Sequence, residues 1–104
     1  TMTWWAQFPR AMQAGDATHC SNLPPSEVID ALQKLCHDLM MRQAASSLRY
    51  FNEADLPTVK TNGASLTAWF KRLSQAARSS EHPFNAGLML EALCSEAREV
   101  MNAS

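Results

Sequence analysis

SEVIDALQKLCHDLMMRQAAS, residues 26–46, decides the fold. Val28, Leu32, Leu35 and Leu39 recur at intervals of three and four, and Ile29, Cys36 and Met40 widen the stripe, as an amphipathic helix requires. Opposite them, Asp30, Lys34, Asp38 and Arg42 alternate in sign four residues apart. That spacing predicts a solvated ladder contributing about 0.3 kcal/mol per pair. Pro24 and Pro25 precede the run, where first-turn N–H groups have no helical partner and a missing donor does no harm.

Before this helix, TWWAQFPRAMQAGD (3–16) places Trp5, Phe8 and Met12 at helical spacing, with Thr3 as N-cap and Gly15 as stop. Pro9 removes a hydrogen bond and crowds the preceding turn, which predicts a kink or a later helix start. ATHCSNLPP (17–25) reads as a loop. Beyond the central helix, residues 47–64 lose the helical period and contain the Asn62-Gly63 turn signal. So long a connection predicts a short helical turn within it, pinned to the core by Tyr50, Phe51 and Leu56.

Two further helices follow. SLTAWFKRLSQAARSS (65–80), with Ser65 as N-cap, puts Leu66, Trp69, Phe70, Leu73 and Ala77 on one face and basic Lys71, Arg72 and Arg78 on the other. In the last segment Met89, Leu93, Ala97 and Val100 form a stripe with Leu90 and Met101 beside it, while Glu91, Glu96 and Glu99 outnumber Arg98. The basic third helix and acidic last helix are either neighbours within the bundle or complementary faces for other subunits. At the last helix's entry, Pro83 bars the preceding helix from running on, Asn85 caps, and Phe84 at N′ is placed to staple onto Met89. No segment alternates with period two. The expected fold is all-α, a compact bundle of four to five helices forming one domain over residues 1–104.

Composition agrees. A chain of 104 residues, 46 % hydrophobic and 18 % charged, can bury one modest core, and three glycines with abundant Ala, Leu, Met, Gln and Glu favour helix. A net charge of −1 provides no field for a phosphate backbone, so direct nucleic-acid binding is not expected. No apolar run approaches the roughly 20 residues of a membrane span and the N-terminus has no signal-peptide pattern, which predicts a cytoplasmic protein without a membrane partner. Trp4, Trp5 and Phe8 crowd an abrupt beginning, which suggests a piece of a longer protein.

Catalytic and cofactor chemistry finds little footing. Cys20, Cys36 and Cys94 cannot all pair and have no CxxC spacing, so they read as reduced thiols, with Cys36 and Cys94 packed in the core. His19-Cys20 and Cys36-His37 have the wrong spacing for a zinc module. His37 and Asp38 are adjacent on a helix and should not face each other, which leaves Asp38 to Lys34 and Arg42. Gly15, Gly63 and Gly87 cannot build a phosphate-binding loop, and no GxSxG elbow is present. No cofactor, metal, small-molecule substrate or catalytic residue is expected.

LPPSEVIDALQKLCHDLM followed by EHPFNAGLMLEAL resembles the C-terminal domain of the delta prime subunits of the bacterial DNA polymerase III clamp loader, an AAA+ family. The resemblance runs from about Trp4 to Met101 and is sharpest over Val28–Leu39 and Glu81–Leu93. It implies a collar domain at the C-terminal end of a longer subunit, which joins equivalent domains of the delta and gamma or tau subunits in a five-membered ring during sliding-clamp loading. It implies no polymerase or ATPase chemistry in this domain. The family's zinc-binding cysteine cluster and Ser-Arg-Cys motif have no counterpart here, so their activities attach to no residue of this chain. Asn85 and Leu88 match the family's entry into the last collar helix.

On that reading the subunit interface is expected on the flanks of the last two helices, at Lys71, Arg72, Gln75 and Arg78 on one and Glu91, Ser95, Arg98 and Glu99 on the other. Pro83, Phe84 and Asn85 are the structural helix start. Two rivals stand beside it: a free-standing helical adaptor holding a peptide or partner helix in a groove of Met40, Met41 and Met89, and a small enzyme using His37 or His82.

Overall fold

In the computed structural model, which describes residues 3–80 and 82–103, the apolar stripes become four helices: α1 (Trp4–Gln13), α2 (Pro25–Gln43), α3 (Gly63–Ala77) and α4 (Ala86–Met101). There is no strand among the described residues. Short 3-10 turns at Ala17–Cys20 and Glu53–Asp55 interrupt the first and second connections. The second is the turn expected within the long loop, and Phe51 and Leu56 beside it are buried with Tyr50 half-buried. The radius of gyration is 12.9 Å, close to the ~13 Å of a compact chain of this length.

α2 is the central element, packed most extensively on α3 and also on α4, while α4 rests on α1. Val28, Leu32, Leu35, Cys36 and Leu39 of α2 are completely buried, as the stripe predicted. Each buried leucine contributes about 1.5–3 kcal/mol by leaving water. Leu66, Trp69 and Leu73 of α3 close over that stripe, and Met12, Cys94, Ala97 and Met101 join α1 to α4. No helix among the described residues is long and apolar enough to cross a membrane.

Helix ends follow local rules. The Thr3 side chain accepts from the N–H of Ala6, and α1 then runs unbroken through Pro9, so the later start expected from that proline does not occur. Its ring is buried in the core. At the far end Gly15 (φ +70°) lets its N–H reach the Met12 carbonyl at 3.0 Å and the Asp16 N–H reach that of Ala11 at 2.9 Å, a Schellman closure. α2 closes in the same way with an alanine in the left-handed position. Ala45 has φ 55°, and Ala45 and Ser46 donate to the carbonyls of Arg42 and Met41 at 3.0 and 2.8 Å.

Three expectations about termini need correction. Asn62, not Ser65, caps α3: its side chain accepts from the Ser65 N–H at 2.8 Å, so the helix starts earlier. Ser65 is too far along to cap, because the Asn-Gly pair already offers both an extended N-cap and a permissive first residue. α3 also ends at Ala77, ahead of Pro83. There the hydroxyls of Ser79 and Ser80 donate to the carbonyls of Ala76 and Ala77 at 3.3 and 2.9 Å and satisfy the last turn. Phe84, finally, forms no staple; its side chain is 106 % exposed relative to an extended reference. Asn85 does cap α4, accepting from the Leu88 N–H at 3.0 Å. Glu81, the first residue of that motif, lies outside the described residues.

The charged ladder on α2 is half right. Asp30 and Lys34 pair at 2.8 Å in solvent. Asp38, however, is fully buried and turns away from Lys34 and Arg42. Arg42 instead reaches across to the Leu56 and Pro57 carbonyls at 3.3 and 2.6 Å, with Glu53 at 3.8 Å. The returning loop explains this: its unpaired N–H groups face α2, and an anion there satisfies them.

Candidate functional site

The eight residues expected at a subunit interface are all exposed, and no one cleft gathers them. Arg72 is already engaged within the chain, its Nε donating to Glu96 Oε2 at 2.8 Å across the α3–α4 boundary. Basic α3 and acidic α4 therefore act in part as neighbours within the bundle. Arg72 and Glu99 border a cleft of about 430 Å³ between these helices. Ser95, Arg98 and Glu99 border a second, of about 670 Å³, against Gln13 and Ala14 of α1. Lys71, Gln75, Arg78 and Glu91 border neither.

The feature that sequence reasoning missed lies at the entry to α4. Phe84 is fully exposed and Leu88, one turn into the helix, is 64 % exposed. With Pro83, His82 and half-buried Met89 they border a hollow of about 540 Å³. Asn85 fixes the backbone between them through its cap, so the two apolar side chains are carried on an ordered helix start. The available signal was Leu88, whose position in the helical period sets it on a different face from the Leu93, Ala97 and Val100 stripe; Phe84, ahead of the helix, carried none. Met40 and Met41 do not border this hollow, and Met40 packs beside Thr67 instead, so the three methionines form no common groove.

His37 and Asp38, expected to diverge, meet. The His37 Nδ1–H donates to Asp38 Oδ1 at 2.9 Å, and the same carboxylate accepts from the backbone N–H groups of Arg49, Tyr50 and Phe51. Burial alone pushes the Asp38 carboxyl up, but those donors outweigh it and hold it below its ordinary value. The cavity beside His37 is lined by Asp30, Gln33, Lys34, Tyr50 and Phe70, with no serine, threonine or cysteine among them. The arrangement ties the loop at residues 49–51 to α2.

Cys20, Cys36 and Cys94 are free thiols and all buried. Burial pushes the Cys36 thiol up to about 12, and its Sγ donates to the Leu66 carbonyl at 3.2 Å. Such a thiol is a core group with little thiolate at neutral pH. Among the described residues no group of three or more His, Cys, Asp or Glu side chains is disposed to hold a metal ion.

No family model, curated protein or solved structure matches the chain.

Proposed function

We propose that this chain is a non-catalytic oligomerisation domain of the clamp-loader collar type, of the kind carried by delta prime subunits, which docks against the C-terminal domains of delta and gamma or tau subunits. The observation that carries the reading is the pair Phe84 and Leu88, large apolar side chains left open to water on a capped helix start. Removing such side chains from water releases about 1.5–3 kcal/mol each, so a surface that holds them out is suited to protein contact. The exposed charges of α3 and α4, basic on one helix and mostly acidic on the other, add a means of setting orientation and partner choice. The motif resemblance is what supports this choice of partners, and the exposed apolar pair is what supports this place for the contact.

Mixing the domain with the C-terminal domains of delta and gamma or tau and measuring mass by light scattering tests this. A stoichiometric complex is expected, lost on substitution of Phe84 and Leu88 by serine. Absence of any complex at tens of micromolar and low salt would sink the collar reading.

A further inference from the structure

A second surface feature lies between the beginning of α1 and the first turns of α2. It is a cleft of about 480 Å³, within the ~300–1,000 Å³ common for ligand sites. It shares no residue with the hollow at Phe84. One wall is aromatic and held rigidly. The Trp4 indole stacks on the His19 ring at 4.8 Å and 14°, its Nε1–H donates to the His19 carbonyl at 2.6 Å, and the His19 Nε2 lies 3.1 Å from the Trp4 carbonyl. Trp5 stacks on Phe51 at 4.4 Å and donates its Nε1–H to the Tyr50 carbonyl at 2.8 Å. Both indole donors are therefore committed to backbone, and Trp5 is also stacked on Phe8 at 5.8 Å, so the ring that offers a ligand π surface is Trp4. Trp4 nevertheless remains 38 % exposed, one of three large apolar side chains so placed among the described residues.

The opposite wall is anionic. Glu27 and Asp30 stand three residues apart, on one side of α2. None of the chain's nine lysines and arginines lines the cleft. Lys34 reaches the Oδ2 of Asp30 from outside it, leaving Oδ1 available, and Glu27 makes no ion pair among the described residues. An indole face opposite two carboxylates is complementary to a flat cation that stacks and donates hydrogen bonds in its own plane. A guanidinium has both properties; an ammonium is a strongly hydrated point charge, and a quaternary ammonium has no N–H to give the carboxylates. We propose that this cleft receives an arginine side chain of a partner protein, its guanidinium against Trp4 and its N–H groups on Glu27 and Asp30.

The test uses N-acetyl-arginine-N-methylamide and its citrulline counterpart, which keeps the shape and removes the charge. The indole N–H resonances of the three tryptophans are followed by two-dimensional NMR at matched ionic strength. With the arginine probe, Trp4 and Trp5 are expected to shift saturably with a Kd on the order of millimolar, while buried Trp69 stays in place and reports an intact fold. Citrulline should leave all three unmoved. Glu27→Gln and Asp30→Asn should each weaken binding about twofold to fivefold, and Trp4→Leu should abolish it. The proposal is overturned by equal response to citrulline, by tighter binding of choline than of arginine, by an unaffected double carboxamide variant, or by no saturation up to about 50 mM. Because the clefts are separate, failure here leaves the collar assignment to its own experiment.

Discussion

Asp38 and His37, neighbours on α2, are hydrogen-bonded to each other, Oδ1 to Nδ1 at 2.9 Å, with the carboxylate in the floor of the molecule and the imidazole at its edge. The same two oxygens accept from Arg49, Tyr50 and Phe51 N–H at 3.0, 2.8 and 2.8 Å. A carboxylate is the one side chain able to accept all four bonds without presenting a donor. Asp38→Asn points an N–H₂ at a row of N–H groups and removes the charge. It is expected to cost about 2–4 kcal/mol, read as a lower urea midpoint with an unchanged m-value. Hydrogen exchange at residues 49–51 should accelerate more than exchange in α4.

The same carboxylate sets an acid limit on stability. Its folded-state pKa is lowered from 3.8, because the backbone donors and His37 outweigh the burial that pushes the other way. In acid the unfolded chain therefore binds the proton more readily than the folded one. The contribution of Asp38 is complete above the unfolded value, and it is lost as pH falls through the folded value. Urea midpoints of the native protein and Asp38→Asn should stay apart above about pH 5 and draw together below about pH 4. Asp16, also lowered by the Thr18 hydroxyl, is present in both proteins and cancels from the difference. A gap independent of pH would mean that the carboxyl has the same pKa in the folded and unfolded chain, against the lowering its donors produce.

Periodicity made the helices legible, because burying Leu32, Leu35 and Leu39 requires a 3.6-residue repeat that few other structures satisfy. It could not reveal where each helix stops, since that depends on hydrogen bonds of one or two residues, as Asn62 and Ser80 show. Asp38 was misplaced for a related reason. Its partners are backbone N–H groups of a loop whose course is set by tertiary packing, and a backbone amide has no letter in the sequence. Phe84 occupies the position of a staple in the sequence, yet its side chain stands in water, because a staple needs a contact that position alone does not supply. Of the candidate site, the exposed charges and Leu88 could be read from helical faces; Phe84, ahead of the helix, could not.

The two Schellman closures offer a matched pair of substitutions. Ala45 occupies φ 55°, where a β-carbon crowds its own backbone, whereas Gly15 at +70° has none. Ala45→Gly should stabilise by about 1 kcal/mol, the relief of left-handed strain exceeding the added freedom of the unfolded chain. Gly15→Ala should destabilise by about 1–2 kcal/mol or more, since its new β-carbon would also lie 2.9 Å from Arg98 Cδ. Thermal melts will resolve both, at roughly 4–8 °C per kcal/mol for a domain of this size. Equal and opposite shifts would point to backbone strain alone; a larger loss at Gly15 would expose the contribution of Arg98.

Phe84 and Leu88 separate stability from association. Both side chains are already in water, so Phe84→Ser and Leu88→Ser should leave the urea midpoint of the isolated domain within about 0.5 kcal/mol of the parent. Asn85→Ala, between them, loses the bond to the Leu88 N–H and should cost about 1 kcal/mol without removing apolar surface. Binding to a collar partner should follow the reverse order, abolished by the double serine variant and weakened only modestly by Asn85→Ala. Reversing the charge of Lys71, Arg78 or Glu91 should alter the salt dependence and association rate more than the lifetime of the complex. Isothermal titration with surface plasmon resonance distinguishes these effects. If serine at 84 and 88 lowers stability while binding persists, the apolar pair belongs to the fold and the contact lies elsewhere on α3 and α4.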